Sequence, residues 1–115
     1  MAHHNKLGKD GELIALMFLQ KEGFNILKTN WRFQKAEVDI IAQDNNFLVF
    51  IEVKTRGSRK FGTPEDDIDK KKIALYKDAA EGYLQYPTEA EIRFDVFSII
   101  IEKDETEIAY IPNAF

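Results

Sequence analysis

Residues 36–55 read AEVDIIAQDNNFLVFIEVKT, two apolar runs that meet at a polar turn and carry acids where a core is expected. Asp44-Asn45-Asn46 separates IIAQ from FLVF, and Asn and Asp tolerate the positive φ that a two-residue hairpin loop demands. Taking Asn45-Asn46 as the loop fixes a register in which Ile40 faces Ile51, Val38 faces Val53 and Ala42 faces Val49 on one apolar side. Side chains alternate along a strand, so the other side sets Asp39 against Glu52 and Glu37 against Lys54. Opposed Cβ atoms lie roughly 4.5–5.5 Å apart, where like charges destabilise a sheet. The Asp39–Glu52 pair therefore needs compensation.

A divalent cation supplies it economically, because two converging carboxylates form an oxygen-rich site suited to Mg²⁺ or Mn²⁺. Lys54, two residues beyond Glu52 on the same face, adds a compact positive charge. The plainer reading is an exposed sheet face with a Glu37–Lys54 ion pair and a surface Asp. FLVFIEV argues against it, since a nearly continuous apolar run marks a strand covered on both faces, where an unpaired carboxylate is expensive.

An acid, a spacer spanning a hairpin, then Glu52-Val53-Lys54 resembles the PD-(D/E)XK nuclease core, with Val38-Asp39 as its first element. More closely, the chain resembles the YraN-like family of small bacterial proteins. GKDGE at 8–12, NWR at 30–32, EVDIIA at 37–42, FIEVKTR at 50–56, FGTP at 61–64, RFDV at 93–96 and IPNAF at 111–115 carry that likeness. Each motif is short, but their order and spacing are specific and span nearly the whole chain. Val38 stands where the superfamily's name has proline, which leaves the acids in place. The resemblance implies an α/β fold: a mixed sheet with an αβββαβ restriction-endonuclease-like core, followed here by a short last strand.

At 115 residues the chain is long enough for one core, and a single domain over 1–115 is expected. The absence of cysteine excludes disulfides and thiolate metal sites. The longest apolar run, LIALMFL at 13–19, is far short of the roughly 18 residues that span a bilayer. It lacks a small-residue cleavage site, so the expectation is no membrane partner and a cytoplasmic location. A net charge of −4 speaks against nucleic acid, but its distribution does not. Residues 1–77 hold 14 Lys/Arg against 11 Asp/Glu, or +3, and residues 78–115 hold 2 against 9, or −7. The basic half carries the motif, and metal would neutralise several of its acids.

Taken in order, residues 9–22 predict a helix with Leu13, Leu16 and Met17 on its apolar stripe, widened by Ile14, Phe18 and Leu19, and with Gly23 closing it. Glu12 is either a favourable first-turn charge or an inward ligand. The resemblance selects the second, because Glu12 matches the acid that resolvase-like members bring from their first helix. Residues 24–33 predict a first strand, in which Trp31 is a packing residue, and Lys35-Ala36 a turn into the hairpin. TRGSRKFGTP at 55–64 reads as a basic loop beside the site, with Arg56, Arg59 and Lys60 available to phosphates. Thr63-Pro64-Glu65-Asp66 predicts a helix start running to about Tyr86. Its stripes are Ile68, Leu75, Ala79, Tyr83 and Ile73, Tyr76, Ala80, Leu84. Lys70, Lys71 and Lys72 oppose the macrodipole early in that helix, a placement that suggests use, with Lys70 and Lys71 as nucleic-acid contacts. IRFDVFSIII at 92–101 is a strand, EKDETE an acidic turn and IAYIP a last strand, with Asp95 in a structural hydrogen-bonding or supporting role.

The function expected on this basis is metal-dependent endonucleolytic hydrolysis of phosphodiesters. Asp39, Glu52, Glu12 and the Val53 carbonyl would hold Mg²⁺ or Mn²⁺, Lys54 would stabilise the transition state, and Glu37 would orient Lys54 or act as an outer acid. The resemblance to resolvases implies DNA rather than RNA, branched or single-stranded, and a homodimer, since a junction has two equivalent strands. The rival is a non-catalytic nucleic-acid-binding or protein-interaction module on the same fold. The lysine beside the acid pair counts against it, because a binding module has no need of one there. An acid/base enzyme for a small molecule has no accompanying pocket motif.

Overall fold

The computed structural model describes residues 6–58, 69–84 and 89–115. The element order is α1 (Lys6–Lys21), β1 (Asn25–Phe33), β2 (Ala36–Asp44), β3 (Phe47–Arg56), α2 (Lys70–Tyr83), β4 (Glu91–Glu102) and β5 (Glu105–Ile111). The five strands form one sheet in the order β1-β2-β3-β4-β5. The first three are an antiparallel meander, β3 and β4 run parallel across the α2 crossover, and β5 returns antiparallel. This is the mixed sheet flanked by helices that the sequence implied, consistent with a restriction-endonuclease-like fold. Among the described residues no helix is long and apolar enough to cross a membrane.

The two faces carry separate cores. Ala15 and Leu19 of α1 pack with Ile40, Ala42, Val49, Ile51, Phe97 and Ile99. On the opposite face Tyr76, Ala79 and Ala80 of α2 pack with Val38, Ile41, Leu48 and Phe50. β3 is buried along most of its length because both helices cover it, as its unbroken apolar run requires. Trp31 belongs to the α2 side, stacked on Phe33 and edge-on to Tyr83.

The hairpin register is the expected one, with Ile40↔Ile51, Ala42↔Val49 and Asp44↔Phe47, and Asn45 takes a φ of 54° in the turn. The preceding turn falls at Gln34-Lys35, one residue earlier than expected, with Gln34 at positive φ. Strict alternation fails at Asp39: Val38 and Ile40, two residues apart, pack in different cores. Val38 therefore does not share the side of Ile40 and Ile51. Both registers also skip Asp39, passing from Thr29↔Ile40 to Trp31↔Val38 on one side and ending at Ile40↔Ile51 on the other. Asn30, which would face it across β1, has a φ of 50°.

Both helices differ from their predicted outlines. α1 begins at Lys6, and its buried line is Gly11, Ala15 and Leu19, whereas Leu13 and Met17 are 58% and 62% exposed. Bulk misled the periodicity argument here, because the small residues Gly11 and Ala15 are the ones that let the helix settle onto β3. A Cβ on Gly11 would overlap the Thr55 side chain, and one on Gly82 of α2 would overlap the Phe33 ring. α2 begins at Lys70 with Asp69 as its N-cap, accepting from the Lys72 N–H at 2.8 Å, and ends with Leu84 as C-cap. The start expected at Thr63-Pro64 lies outside the described residues. The acidic turn shrinks to Lys103-Asp104, because Glu105 and Glu107 already belong to β5.

Gly11→Ala should lower stability by about 1–3 kcal/mol, the usual cost of overpacking. Combining it with Thr55→Ala should recover part of that loss, a coupling measurable by urea denaturation of the two single variants and the double variant.

Candidate active site

A cavity of about 430 Å³ opens where the β2–β3 ribbon meets the N-terminal halves of both helices. It is lined by Glu12 from α1, Glu37 and Asp39 from β2, and Glu52, Val53 and Lys54 from β3. These are the six residues nominated as catalytic, metal-binding or orienting from the sequence. The structure adds Lys35, Lys72 and Tyr76, which the sequence reading did not assign to the site.

Asp39 sits where the ladder gives way. Its Oδ2 accepts the Val53 backbone N–H at 2.8 Å, so a side chain occupies a bond that sheet pairing would have given to a carbonyl. Glu52, 8% exposed, is held from α2 instead. Tyr76 donates its hydroxyl to Oε1 at 2.7 Å, and the Lys72 ammonium lies 2.9 Å from Oε2. Tyr76 is buried, and Lys72 is one helical turn before it on the same face.

The electrostatics show how uncomfortable this arrangement is without further positive charge. Burial, and next the neighbouring Glu52 charge, push the Asp39 carboxyl up from 3.8 to about 8; the Val53 N–H and Lys72 pull the other way, and Glu12 adds to the rise. At neutral pH Asp39 therefore keeps its proton. Burial would lower the Lys72 ammonium, but the Glu52 carboxylate overcomes it and the pKa rises. Burial and the nearby carboxylates hold the Tyr76 hydroxyl well above its ordinary value, so it remains a donor.

Glu37 and Lys54 line the same cavity, but the predicted cross-strand pairing between them is not part of the described register. Glu37 instead pairs across β1 with Arg32, at 3.7 Å. Diverting the Val53 N–H to Asp39 ends the ladder before it reaches them. Among the described residues no three Asp, Glu, His or Cys side chains converge as a ready metal-ligand group. The donor set is a carboxylate pair with Glu12 and Val53 on the same cavity wall. That set fits a hard cation such as Mg²⁺, which keeps several waters and needs only one or two carboxylates. The two clustered acids, one driven to protonation, are the signature of a site short of positive charge.

The basic residues divide. Arg56 is not in the loop but ends β3, 7% exposed and absent from the cavity lining. Burial follows from its place in the parallel ladder opposite Ile100. Arg59 and Lys60 lie outside the described residues. Lys70 and Lys71 are exposed in the first turn of α2, beside Lys72 but outside the cavity lining. The signal that could have found Lys72 and Tyr76 was present in the sequence: a lysine triplet set against the macrodipole, with a tyrosine four residues on.

Asp95, the other buried acid, is enclosed by protein partners away from the cavity. Arg93 contacts both its oxygens at 2.9–3.1 Å, the Tyr110 hydroxyl donates to it, and the Asn113 N–H reaches it at 2.9 Å. Its structural role is the hydrogen-bonding one anticipated.

Comparison with known proteins places this geometry in a family. A model described as "Uncharacterised protein family UPF0102" matches residues 11–99. A UPF0102 protein of Flavobacterium psychrophilum is 49% identical over 116 residues, covering 100% of this chain and 98% of the relative. UPF0102 proteins of Dictyoglomus thermophilum and Syntrophomonas wolfei are 42% and 40% identical, each aligned over 97% or more of this chain and 99% of their own length.

The raised Asp39 carboxyl has a direct consequence for stability. Below about pH 4 both folded and unfolded chains carry the proton. Between about 4 and 8 the unfolded chain releases it and the folded chain retains it, so stability falls as pH rises, and above about 8 the penalty is constant. Asp39→Asn should therefore melt above the parent at pH 8 in EDTA, with the difference closing toward pH 4.

Proposed function

The chain belongs to the UPF0102 (YraN-like) family of the PD-(D/E)XK nuclease superfamily, and we propose that it is a metal-dependent endonuclease acting on phosphodiester bonds of DNA. The observation that supports this reading most is the pair of half-buried Asp39 and buried Glu52 with Lys54 on the wall of the same cavity. Those groups are what hydrolysis of a phosphodiester asks of a protein: anionic ligands and a fixed cation beside the reacting phosphate.

Asp39 and Glu52, with Glu12 and the Val53 carbonyl, would hold Mg²⁺ or Mn²⁺. When bound, such an ion polarises the phosphoryl oxygen and lowers the pKa of the attacking water. Asp39 would serve as a ligand in its deprotonated form, and its Val53 hydrogen bond aims the carboxyl. Tyr76 fixes the rotamer of Glu52 from the opposite side. Lys54 stabilises charge developing on the phosphate, and Lys35 and Lys72 extend the basic wall along which the backbone lies. Lys70 and Lys71, exposed on the adjoining helix turn, contribute at longer range. Branched or single-stranded DNA is the proposed substrate, by the likeness to resolvase-like members of the superfamily, and two copies would serve the two strands of a junction.

Incubation of single-stranded, duplex and four-way-junction DNA with Mg²⁺ or Mn²⁺ tests this directly. Cleavage should require the metal and fall by at least about 10²-fold in Asp39→Asn and in Lys54→Ala, in line with loss of one transition-state stabilising group. DNA binding that persists in EDTA, with no cleavage under either metal, would assign the fold to a binding module instead.

A further inference from the structure

We propose that Lys72 is the resident counter-cation of the carboxylate pair, and that an entering divalent metal ion takes Glu52 Oε2 from it. The inference rests on the proposed metal-dependent function. Its basis is the way Glu52 is held. Both carboxylate oxygens are engaged from α2, Oε1 by the Tyr76 hydroxyl at 2.7 Å and Oε2 by the Lys72 ammonium at 2.9 Å.

The two contacts differ in how readily they yield. Tyr76 is 1% exposed, locked between the sheet and the Phe115 ring, and has no room to withdraw. The Lys72 side chain is 37% exposed against 11% for Glu52, and it stands in the first turn of α2 on a flexible four-carbon stem. An ion approaching from the cavity therefore meets a fixed oxygen on the Tyr76 side and an exchangeable one on the Lys72 side. The position of Lys72 fits the same account. Lys70, Lys71 and Lys72 occupy the first three positions of α2, where a cation opposes the helix dipole. Glu52 compensates Lys72 there, just as Lys72 compensates Glu52.

Lys72 thus holds the acid pair together before loading and repels the ion that replaces it. After the exchange its ammonium remains on the cavity wall without Glu52 Oε2, free to meet a phosphodiester oxygen. The free protein is then self-neutralised, and metal and DNA become linked ligands. A lysine that merely orients Glu52 would have the opposite effect on metal, since its removal would loosen a ligand.

Calorimetric titration of the full chain with Mg²⁺, without DNA, separates the two roles. Lys72→Met and Lys72→Gln should bind Mg²⁺ about tenfold more tightly than the parent, the scale expected for removing a partly screened charge beside a ligand. Lys77→Met, the same charge change at an exposed position of the same helix, should stay within about twofold of the parent. Equal or weaker binding by both Lys72 variants, with a parent that binds, overturns the exchange and leaves the nuclease reading standing. No Mg²⁺ or Mn²⁺ binding by the parent or any variant overturns the metal-dependent function itself.

Discussion

The hydrogen bond from the Val53 N–H to Asp39 Oδ2 is the constraint around which the candidate site is arranged. A regular antiparallel ladder would have satisfied that N–H with a carbonyl and kept β2 and β3 zipped toward Ala36. Spending it on a side chain unzips the ribbon, moves Val38 into the α2 core and leaves a carboxylate beside Glu52. The cavity is the space that the unzipping creates. The helices then close it from both sides, α1 with Glu12 and α2 with Lys72 and Tyr76.

Buried Asp95 and half-buried Asp39 show why one aspartate is a structural group and the other a candidate for chemistry. Asp95 is fully enclosed, yet Arg93, Tyr110 and the Asn113 N–H satisfy it, and although burial opposes the Arg93 charge, Asp95 and Tyr110 together hold the guanidinium in charged form. Arg93 further stacks over Phe47 and bridges to Asp44, tying the β2–β3 turn to β4. Every charge there has a protein partner. Asp39 has a second acid for a neighbour and a share in one distant ammonium, so it is neutralised by a proton rather than by the fold. Proteins tolerate that arrangement where a ligand completes it.

The hairpin was legible because its signal is local and chemically specific. Asn45 can adopt positive φ, and an even-numbered repeat of apolar residues leaves one register that buries them together. The crossover was legible for a similar reason, since a helix between two apolar runs permits parallel strands. What escaped sequence reading is what depends on approach distance. The α1 stripe was drawn through bulky Leu13 and Met17, whereas Gly11 and Ala15 make the contact because they are small. Arg56 looked like loop because glycine follows it, but the β3–β4 ladder carries through Thr55 to Arg56, which is buried. Lys72 stood out only as a lysine set against the helix dipole and Tyr76 only as part of a stripe, because their contacts with Glu52 join residues far apart in the chain.

Precision at Glu52 is supplied from further away than the site itself. Tyr76 orients the carboxylate, and the Phe115 ring packs edge-on against Tyr76 while stacking on Phe94 of β4. The segment bearing Phe115 is fastened twice: the Asn113 N–H donates to Asp95 and the Ala114 N–H to the Phe94 carbonyl. Asp95, with no place in the cavity, therefore anchors the chain that braces the tyrosine that aims the glutamate. Such a relay stiffens one side of Glu52, while the partner on the other side is the half-exposed Lys72. A carboxylate fixed at one oxygen keeps its aim when the cation at the other oxygen changes, which is the property the proposed metal site requires.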